Sequence, residues 1–269
     1  MAIILAAADP QEELQLKHLF FIGQELKRRG YPFYFLTNPG NKLSSQAKLA
    51  GFQVQNFKLE GTSSWLTNWK LSRKMKKSGA SLIHFFDKEA FSSGLKASQK
   101  AEINLKLASV KTDWLKEISA GSLKQVDSLI CQTEESKRRW LKSEPGVKTI
   151  EVIPPGLDFS KYQNKQKKIF LKEELGLKDD DFLAGLLTPL EDLKLLREQL
   201  EALKILNDQA PRLKVIVFGQ GSLHLEQLRH EQPLDIANLY FYLGFEERKA
   251  DVLASLDLLV FGSFSLPQD

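Results

Sequence analysis

Short apolar runs rich in β-branched and aromatic residues alternate with amphipathic helical patterns along the whole chain. The helical patterns at 14–26 and 190–208 have apolar residues at a spacing of three and four. Shorter helices are predicted at 42–50, 134–142 and 223–230. Strands that alternate with helices pair in parallel, since a parallel connection needs a crossover. The sequence therefore predicts an α/β fold with parallel sheets. The predicted strands are 3–7, 31–37, 52–57, 81–86, 105–110, 126–131, 182–187, 213–218, 239–243 and 258–261.

A turn rich in proline separates the first six strands from the last four. Pro154 and Pro155 fix φ and donate no backbone hydrogen bond, and Gly156 tolerates positive φ, so a strand ending near Ile153 must stop here. A generic loop explains these residues equally well. The strand and helix spacing on both sides favours a hinge, and it predicts two α/β domains, 1–160 and 161–269.

Composition excludes several classes of protein. With 269 residues, of which 42% are hydrophobic, the chain can bury two cores of ordinary size. The single Cys131 rules out a disulfide framework or a cysteine zinc cluster, and we predict no metal site and no nucleic-acid partner. No apolar run approaches the roughly 18 residues of a membrane span, and the short run before Asp9-Pro10 is typical of a strand and not of a signal peptide. We expect a cytoplasmic location.

The two halves differ in charge. Residues 1–160 carry 24 Lys and Arg against 16 Asp and Glu, whereas residues 161–269 carry 14 against 18. A basic half predicts contact with an anionic surface or acceptor. The alternative is a solvated lysine-rich surface, because the lysines are spread through the half.

The start of the first helix lacks the features of a phosphate site. Asp9 is predicted to cap the helix, Pro10 to occupy its first position and Glu12 to close a capping box. Three alanines and three carboxylates stand where dinucleotide folds have a glycine-rich turn. We therefore expect no phosphate at this position.

The segment 63–77 is predicted to be an amphipathic helix in which Trp65 and Trp69 alternate with basic residues. The basic residues are Lys70, Arg73, Lys74, Lys76 and Lys77. Tryptophan together with lysine is typical of a helix at a membrane surface, which predicts peripheral contact with an anionic membrane at its inner face. The alternative is that both tryptophans cover the sheet while the lysines face water.

Three polar residues at predicted strand ends are the candidate catalytic residues of the first half. His84 lies near the end of a strand, where open α/β sheets place ligands, although a strand histidine is commonly a packing residue. Lys111 and Asp113 belong to a polar cluster that follows the strand at 105–110 and is positioned to touch a ligand.

Five segments resemble the motifs of the retaining GT-B glycosyltransferases of family 4, and the likeness covers nearly the whole chain. Ile153-Pro-Pro-Gly-Leu-Asp158 resembles the interdomain motif of that family, and Ala184-Gly-Leu-Leu-Thr-Pro189 resembles its Gly-Arg-Leu loop. Phe218-Gly-Gln-Gly221, Tyr242-Leu-Gly-Phe245 and the run 254–263 resemble its next three motifs in order and spacing. A lone Gly-x-Gly is weak by itself, because turns also use glycine for conformation.

The resemblance implies two Rossmann-like domains that face each other across a cleft, with a nucleotide-sugar donor bound as substrate by the second. It implies no further cofactor. The implied donor contacts are Gly185, Thr188, Gly219, Gly221, Gly244, Phe245 and Ser263.

The chain also departs from the family pattern. Leu186 and Glu191 occupy the positions of an arginine and a lysine that hold the donor diphosphate in the family. Pro155 replaces the asparagine of the interdomain motif, and Lys111 matches a histidine at a strand end. The sequence ends at Asp269, where the family continues into a helix with paired glutamates, so we expect the second domain to be incomplete.

Two functions remain open at this point. One is a glycosyltransferase that moves a sugar from a nucleotide-sugar to a glycan or lipid-linked acceptor of the cell-envelope or polysaccharide class. The other is a catalytically silent binding module with the same fold, or a partner subunit of an active transferase.

Overall fold

The computed structural model describes most of the chain and confirms an α/β fold with parallel sheets. Backbone contacts divide the chain into two compact units, of which the first ends at Gly156. The predicted domain boundary at residue 160 lies outside the described residues. The described residues are 2–10, 13–59, 65–156, 170–190, 193–210, 212–219, 239–241 and 249–262.

The first unit alternates strands with helices and has one 3₁₀ turn at Thr112–Lys116. Its strands are β1 (Ala2–Ala6), β2 (Phe33–Thr37), β3 (Val54–Asn56), β4 (Ala80–Phe85), β5 (Leu105–Ser109), β6 (Ser128–Cys131) and β7 (Thr149–Val152). Its helices are α1 (Glu13–Arg28), α2 (Lys42–Leu49), α3 (Trp65–Lys77), α4 (Lys88–Lys100), α5 (Ala120–Leu123) and α6 (Glu134–Lys142).

The seven strands form one parallel sheet in the order β3-β2-β1-β4-β5-β6-β7. The order reverses between β1 and β4, because β2 and β3 extend the sheet on one side of β1 while β5 to β7 extend it on the other. In open α/β sheets, ligands bind beyond the carboxyl ends of the strands at such a reversal. The crevice beyond β1 and β4 is therefore the first place to look for a site.

Both faces of this sheet are covered, as a parallel sheet requires. On one face, α1 and α2 pack Leu16, Leu19 and Leu43 against Leu5 and Phe35. On the other face, α3, α4 and α6 pack against alternate residues of the same strands. That second cluster includes Ile4, Leu36, Leu71, Met75, Phe85, Phe91 and Trp140.

Side chains that follow the strands begin several of the helices. Asn41, Asp87 and Thr133 cap α2, α4 and α6 by accepting a hydrogen bond from the backbone three residues on. The hydrophobic pattern predicted α2 and α6 but not α4, whose sequence is rich in serine and glycine. The capping box predicted at Glu12 lies outside the described residues.

The second unit contains a parallel four-stranded sheet in the order β10-β9-β8-β11. The strand order again reverses, here between β8 and β11. The helix predicted at 223–230 lies outside the part of the chain that the structure describes. The elements are α7 (Phe170–Glu174), β8 (Phe182–Leu187), α8 (Leu193–Gln209), β9 (Leu213–Phe218), β10 (Leu239–Phe241), α9 (Lys249–Ser255) and β11 (Leu258–Phe261).

The core of the second unit has one layer on each face of its sheet. Leu196 and Leu200 of α8 pack against Leu186 and Val217 on one face. Leu171 of α7 and Val252 of α9 pack on the other, together with Leu183, Ile216 and Phe218. None of the described helices is both long enough and apolar enough to cross a bilayer.

Candidate functional site

The carboxyl edge of the first sheet is built around the side chain of Asp87, which directly follows β4. One carboxylate oxygen accepts a hydrogen bond from the N–H of Ala8 (2.6 Å), and the other accepts from the N–H of Ala90 (2.7 Å). The same carboxylate therefore ties the end of β1 to the start of α4. An anion of the protein itself occupies backbone donors at the point where the strand order reverses, which leaves those donors unavailable to a phosphate.

Burial raises the pKa of Asp87 to about 6, although the N–H groups of Ala90, Ala8 and Asp9 lower it. The buried carboxyl is therefore a weaker acid than an ordinary aspartic acid. It can exchange its proton close to neutral pH.

Two small cavities open at the same edge of the sheet, and Asp87 lines the larger of them. One, of about 210 Å³, is polar and is lined by Asp9, Gln15, Phe86, Asp87, Lys88, Glu89, Lys111, Asp113 and Trp114. The other, of about 50 Å³, is lined by Leu14, Gln15, His18, Phe86, Ser109, Val110, Lys111, Ile130, Gln132, Ile153 and Pro155. Gln15, Phe86 and Lys111 line both, so the two cavities are neighbours.

The structure brings two of the three candidate catalytic residues together. Lys111 precedes the 3₁₀ turn and Asp113 lies in its first turn, and both line the larger of these two cavities. Lys88, which lines the same cavity, forms an ion pair with Glu117. This cavity therefore contains groups of both charges, which suits hydroxyl-rich or charged ligands.

His84 lies beneath this edge and lines neither cavity. Its side chain is 8% exposed, its ring lies against that of Phe86 with centroids 3.9 Å apart, and its Nε2 is 2.8 Å from Ser109 Oγ. Burial lowers the pKa of His84 to about 3, with a further lowering from the nearby His18. His84 is therefore neutral at physiological pH and reaches the smaller cavity only through the hydroxyl of Ser109.

Sequence reasoning missed two polar residues of α1 that face this edge. Gln15 donates a hydrogen bond to the carbonyl of Phe86 (2.7 Å), and His18 lines the smaller cavity with its ring edge toward Phe86. Burial lowers the pKa of His18. The two residues are three positions apart on one face of α1, which is the only signal of them in the sequence.

At the carboxyl edge of the second sheet, the ends of β8 and β9 are in close contact. The N–H of Thr188 donates to the carbonyl of Phe218 (3.0 Å), and a Cβ on Gly219 would lie 1.8 Å from the carbonyl oxygen of Thr188. Only glycine fits there, so Gly219 has a steric reason for its identity. Thr188 itself is 2% exposed, and its Oγ1 has no hydrogen-bond partner among the described residues.

The end of β11 completes this edge through Gly262, which sequence reasoning did not select. The N–H of Gly262 donates to the carbonyl of Leu187 (2.7 Å), and the Gly262 carbonyl accepts from the side chain of Gln199 on α8. A Cβ on Gly262 would lie 2.8 Å from Cβ of Thr188. Thr188 therefore lies between two glycines, at the reversal of the strand order.

Two positions in β8 have packing roles. A Cβ on Gly185 would lie 2.4 Å from Cδ1 of Leu256 and 2.8 Å from the ring of Phe218, so the close packing of this face requires glycine. Leu186 is 5% exposed and belongs to the core under α8. Its position is inside the strand and not in a loop, because β8 continues through Leu187.

The remaining predicted donor contacts, Gly221, Gly244, Phe245 and Ser263, lie outside the described residues, and so does Glu191. The first described turn of α8 contains the exposed Lys194. Since α8 connects two parallel strands, its N-terminus lies at the carboxyl edge of the sheet, where its dipole favours an anion.

A further cavity of the second unit, about 410 Å³, lies between α8 and the strands β8, β9 and β11. Its lining is mostly apolar and includes Leu203, Leu206, Val215 and Val260, and it contains neither Thr188 nor Gly219. Gly185, Gln199 and Gly262 also line it, so it adjoins the carboxyl edge at Gly262. Within the described ranges, no group of three or more His, Cys, Asp or Glu side chains is arranged to hold a metal ion.

Solved structures of similar fold cover almost the whole chain. HepE of Anabaena, solved in complex with UDP-glucose, has a TM-score of 0.63 at 18% identity, over 96% of this chain and 73% of HepE. A glycosyltransferase from Rickettsia africae has a TM-score of 0.72 at 12% identity, over 96% of this chain and 72% of that one. The lipopolysaccharide outer core galactosyltransferase WaaB has a TM-score of 0.64 at 11% identity, over 96% of this chain and 73% of WaaB.

The fold is that of the GT-B glycosyltransferases. At these identities the likeness concerns the fold alone, because one fold hosts many activities. No family model and no curated protein matches the sequence.

Proposed function

We propose that this chain is a glycosyltransferase that moves a sugar from a nucleotide-sugar donor to an acceptor. The observation that carries the proposal is the buried hydroxyl of Thr188, which has no hydrogen-bond partner among the described residues and is set between Gly219 and Gly262 at the carboxyl edge of the second sheet. A buried hydroxyl without a partner costs roughly 1 to 3 kcal/mol, which a ligand that bonds to it would recover.

A donor diphosphate suits this edge on electrostatic grounds. The N-terminus of α8 favours negative charge, and the exposed Lys194 in its first described turn adds a cation. In a sugar transfer, negative charge develops on the leaving diphosphate, so fixed donors at this position would stabilise the transition state. Gly219 lies beside Thr188 at this edge, and Gly185, Gly219, Gly221, Gly244, Phe245 and Ser263 remain proposed donor contacts.

We propose that the first unit binds the acceptor, since the carboxyl edge of its sheet has polar cavities. The backbone donors beside β1 are occupied by Asp87 and are therefore unavailable to the phosphates of the donor. Lys111 and Asp113 would contact the reacting groups, and His84 would act through Ser109 as a positioning residue. The order of motifs that resemble family 4 supports a retaining reaction, and the same resemblance supports a glycan or lipid-linked acceptor of the cell-envelope or polysaccharide class.

Calorimetric titration of the full chain with UDP and with UDP-glucose tests the donor site. We expect weak but measurable binding, since Leu186 offers no cation. Thr188→Val removes the unpaired hydroxyl while keeping the shape of the side chain, so affinity for the nucleotide should fall about fivefold, equivalent to roughly 1 kcal/mol. Lys194→Glu should lower it at least as much, because it reverses a charge beside the diphosphate.

Lys178→Glu is the matched control for charge, since Lys178 is also exposed but precedes β8 at the opposite edge of the sheet. It should bind as the wild type does. Equal loss in both lysine variants would mean that only net charge matters. Absence of any nucleotide binding by the folded wild type would reject the proposal.

One observation favours a catalytically silent binding module. Leu186, at the position where the family has an arginine, is part of the core under α8 and cannot present a charge without leaving that core. In an active enzyme, other groups must then hold the diphosphate. Release of free UDP from UDP-glucose, followed with a coupled assay, separates the two functions because a module binds without turnover.

A further inference from the structure

Helix α3 is held in the first unit by one narrow face. Asn68, Leu71, Ser72 and Met75, at a spacing of three and four, are buried, and Leu71 and Met75 belong to the core that also contains residues of α4. This face is sufficient to pack the helix. The side chains on its other faces have no role in the core.

Three large apolar side chains lie on the outer side of α3. Trp65 is 69% exposed, Leu66 is 56% exposed and Trp69 is 43% exposed. The alternative that both tryptophans cover the sheet is therefore wrong. Trp114 and Trp140, in contrast, are almost completely buried, so exposure of tryptophan is specific to α3.

Cations surround these apolar side chains. Lys70, Arg73 and Lys77 are exposed, and the Arg73 guanidinium carbon lies 4.7 Å from the ring centroid of Trp69. Lys74 is half-buried and donates to the carbonyl of Asn56, so it does not belong to this exposed set. The helix itself contains no acidic residue.

We propose that the outer side of α3, made of Trp65, Leu66, Trp69, Lys70, Arg73 and Lys77, docks onto an anionic lipid membrane. Indole rings favour the boundary between headgroups and acyl chains, and lysine and arginine pair with the phosphates of anionic headgroups. An acidic protein surface would satisfy the cations but would leave two tryptophans and a leucine without a hydrophobic environment. A membrane surface satisfies both at once.

The direction of the chain gives this surface a defined position in the first unit. Helix α3 connects β3 to β4, which run parallel, so its N-terminal half lies at the carboxyl edge of the sheet. The tryptophans are therefore at the same end of the unit as the two polar cavities. The docking itself rests only on α3 and does not depend on the proposed transferase activity.

The test uses the full chain with vesicles of phosphatidylcholine alone or mixed with phosphatidylglycerol. We expect co-sedimentation only with the mixed vesicles, and added salt should weaken it because exposed charges are screened. Tryptophan fluorescence should shift to the blue and be quenched by brominated lipid. Since Trp114 and Trp140 are buried, any such change reports on Trp65 and Trp69.

Two variants separate the apolar and the charged contributions. Trp65→Ser with Trp69→Ser should lower co-sedimentation with the mixed vesicles, and Lys70→Glu with Lys77→Glu should lower partitioning by at least about tenfold, since each cation contributes about fivefold. The matched controls are Tyr31→Ser and the pair Lys124→Glu with Lys142→Glu, which are exposed on other parts of the unit. Tyr31→Ser should bind vesicles as the wild type does. Lys124→Glu with Lys142→Glu changes the net charge by the same amount as the α3 pair, so any loss in this control measures the effect of net charge alone.

Equal binding to neutral and anionic vesicles, or no binding to either, would overturn the proposal. So would equal losses in the α3 variants and in their controls, because binding would then follow total charge and not this surface. All variants change exposed side chains, so circular dichroism of each should match the wild type. Nucleotide titration of the same variants keeps the two proposals apart, since donor binding should be unchanged.

Discussion

Two ionisable residues near the carboxyl end of β4 have pKa values that move in opposite senses for the same reason. Burial penalises the charged form of each, which lowers the pKa of His84 to about 3 and raises the pKa of Asp87 to about 6. Both groups are therefore closer to neutrality in the folded chain than in the unfolded chain. Their effects on stability must have opposite dependence on pH.

The direction of each effect follows from which state binds more protons. Between pH about 6.5 and about 3, unfolded His84 binds a proton that the folded residue does not, so the free energy of unfolding falls as the pH falls. Between pH about 6 and 3.8, folded Asp87 binds a proton that the unfolded residue does not, so the free energy of unfolding rises as the pH falls. Each slope is about 1.4 kcal/mol per pH unit at most, and the two oppose each other.

Urea denaturation from pH about 7 to about 4 should therefore distinguish two variants. His84→Gln removes the opposing slope, so its stability relative to the wild type should rise as the pH falls. Asp87→Asn should show the reverse, on top of a loss at all pH values, because the amide cannot accept from both Ala8 and Ala90. Parallel pH profiles for all three proteins would contradict these pKa shifts. His18→Gln, at a half-buried site, should give a smaller change in the sense of His84→Gln.

At the scale of elements, the packing of α4 on β4 depends on a glycine. A Cβ on Gly94 would lie 2.6 Å from Cε1 of Phe85, whose side chain is fully buried and lies edge-on to Phe91. Gly94 lowers the helix propensity of α4 but lets the helix approach the sheet. This compromise also explains why the sequence pattern did not predict α4.

Gly94→Ala should lower the free energy of unfolding by about 1 to 3 kcal/mol, because Phe85 cannot move without disturbing the core. Gly121→Ala in α5 is the matched control, since a Cβ there would meet nothing within 4 Å. The control should be neutral or stabilising by up to about 1 kcal/mol. The urea midpoints of the two variants, at an unchanged m value, measure both changes in stability. Equal effects would show that helix propensity and not packing decides the outcome.

At the scale of the whole molecule, each hydrophobic cluster formed by the described residues belongs to one unit. The last residue in the two hydrophobic clusters of the first unit is Ile150, and the seven strands of its sheet pair only with neighbours in the same sheet. The clusters of the second unit begin at Leu171. We therefore propose that the two units are independent domains.

The fragment 1–156 should accordingly fold by itself, with a cooperative urea transition and the far-ultraviolet circular dichroism of an α/β protein. A matched fragment, 1–145, lacks β7 and exposes the edge of β6 together with the core around Ile150, so it should be markedly less stable. A non-cooperative transition in the longer fragment would show that the first unit needs the rest of the chain.

The sequence alone was sufficient for most of the elements and for the fold class. β8, β9, β11 and α6 have the bounds that their patterns predicted, because apolar runs between turn residues have one stable arrangement in a parallel sheet. Alternation of strands and helices then determined a parallel topology, since the connections allow little else. The first unit ends at Gly156, within the turn of Pro154, Pro155 and Gly156, and the domain boundary itself stays a prediction.

Only the tertiary structure decided which polar residues meet. Asp87 joins the ends of β1 and β4, which are far apart in sequence, and Thr188 lies between glycines from two other strands. Periodicity likewise could not tell whether Trp65 and Trp69 pack on the sheet or face outward, because their exposure depends on how much of α3 the neighbouring α4 covers. Local patterns report which residues are apolar and how they repeat, whereas burial and contact at a site depend on side chains that the fold brings together from distant parts of the chain.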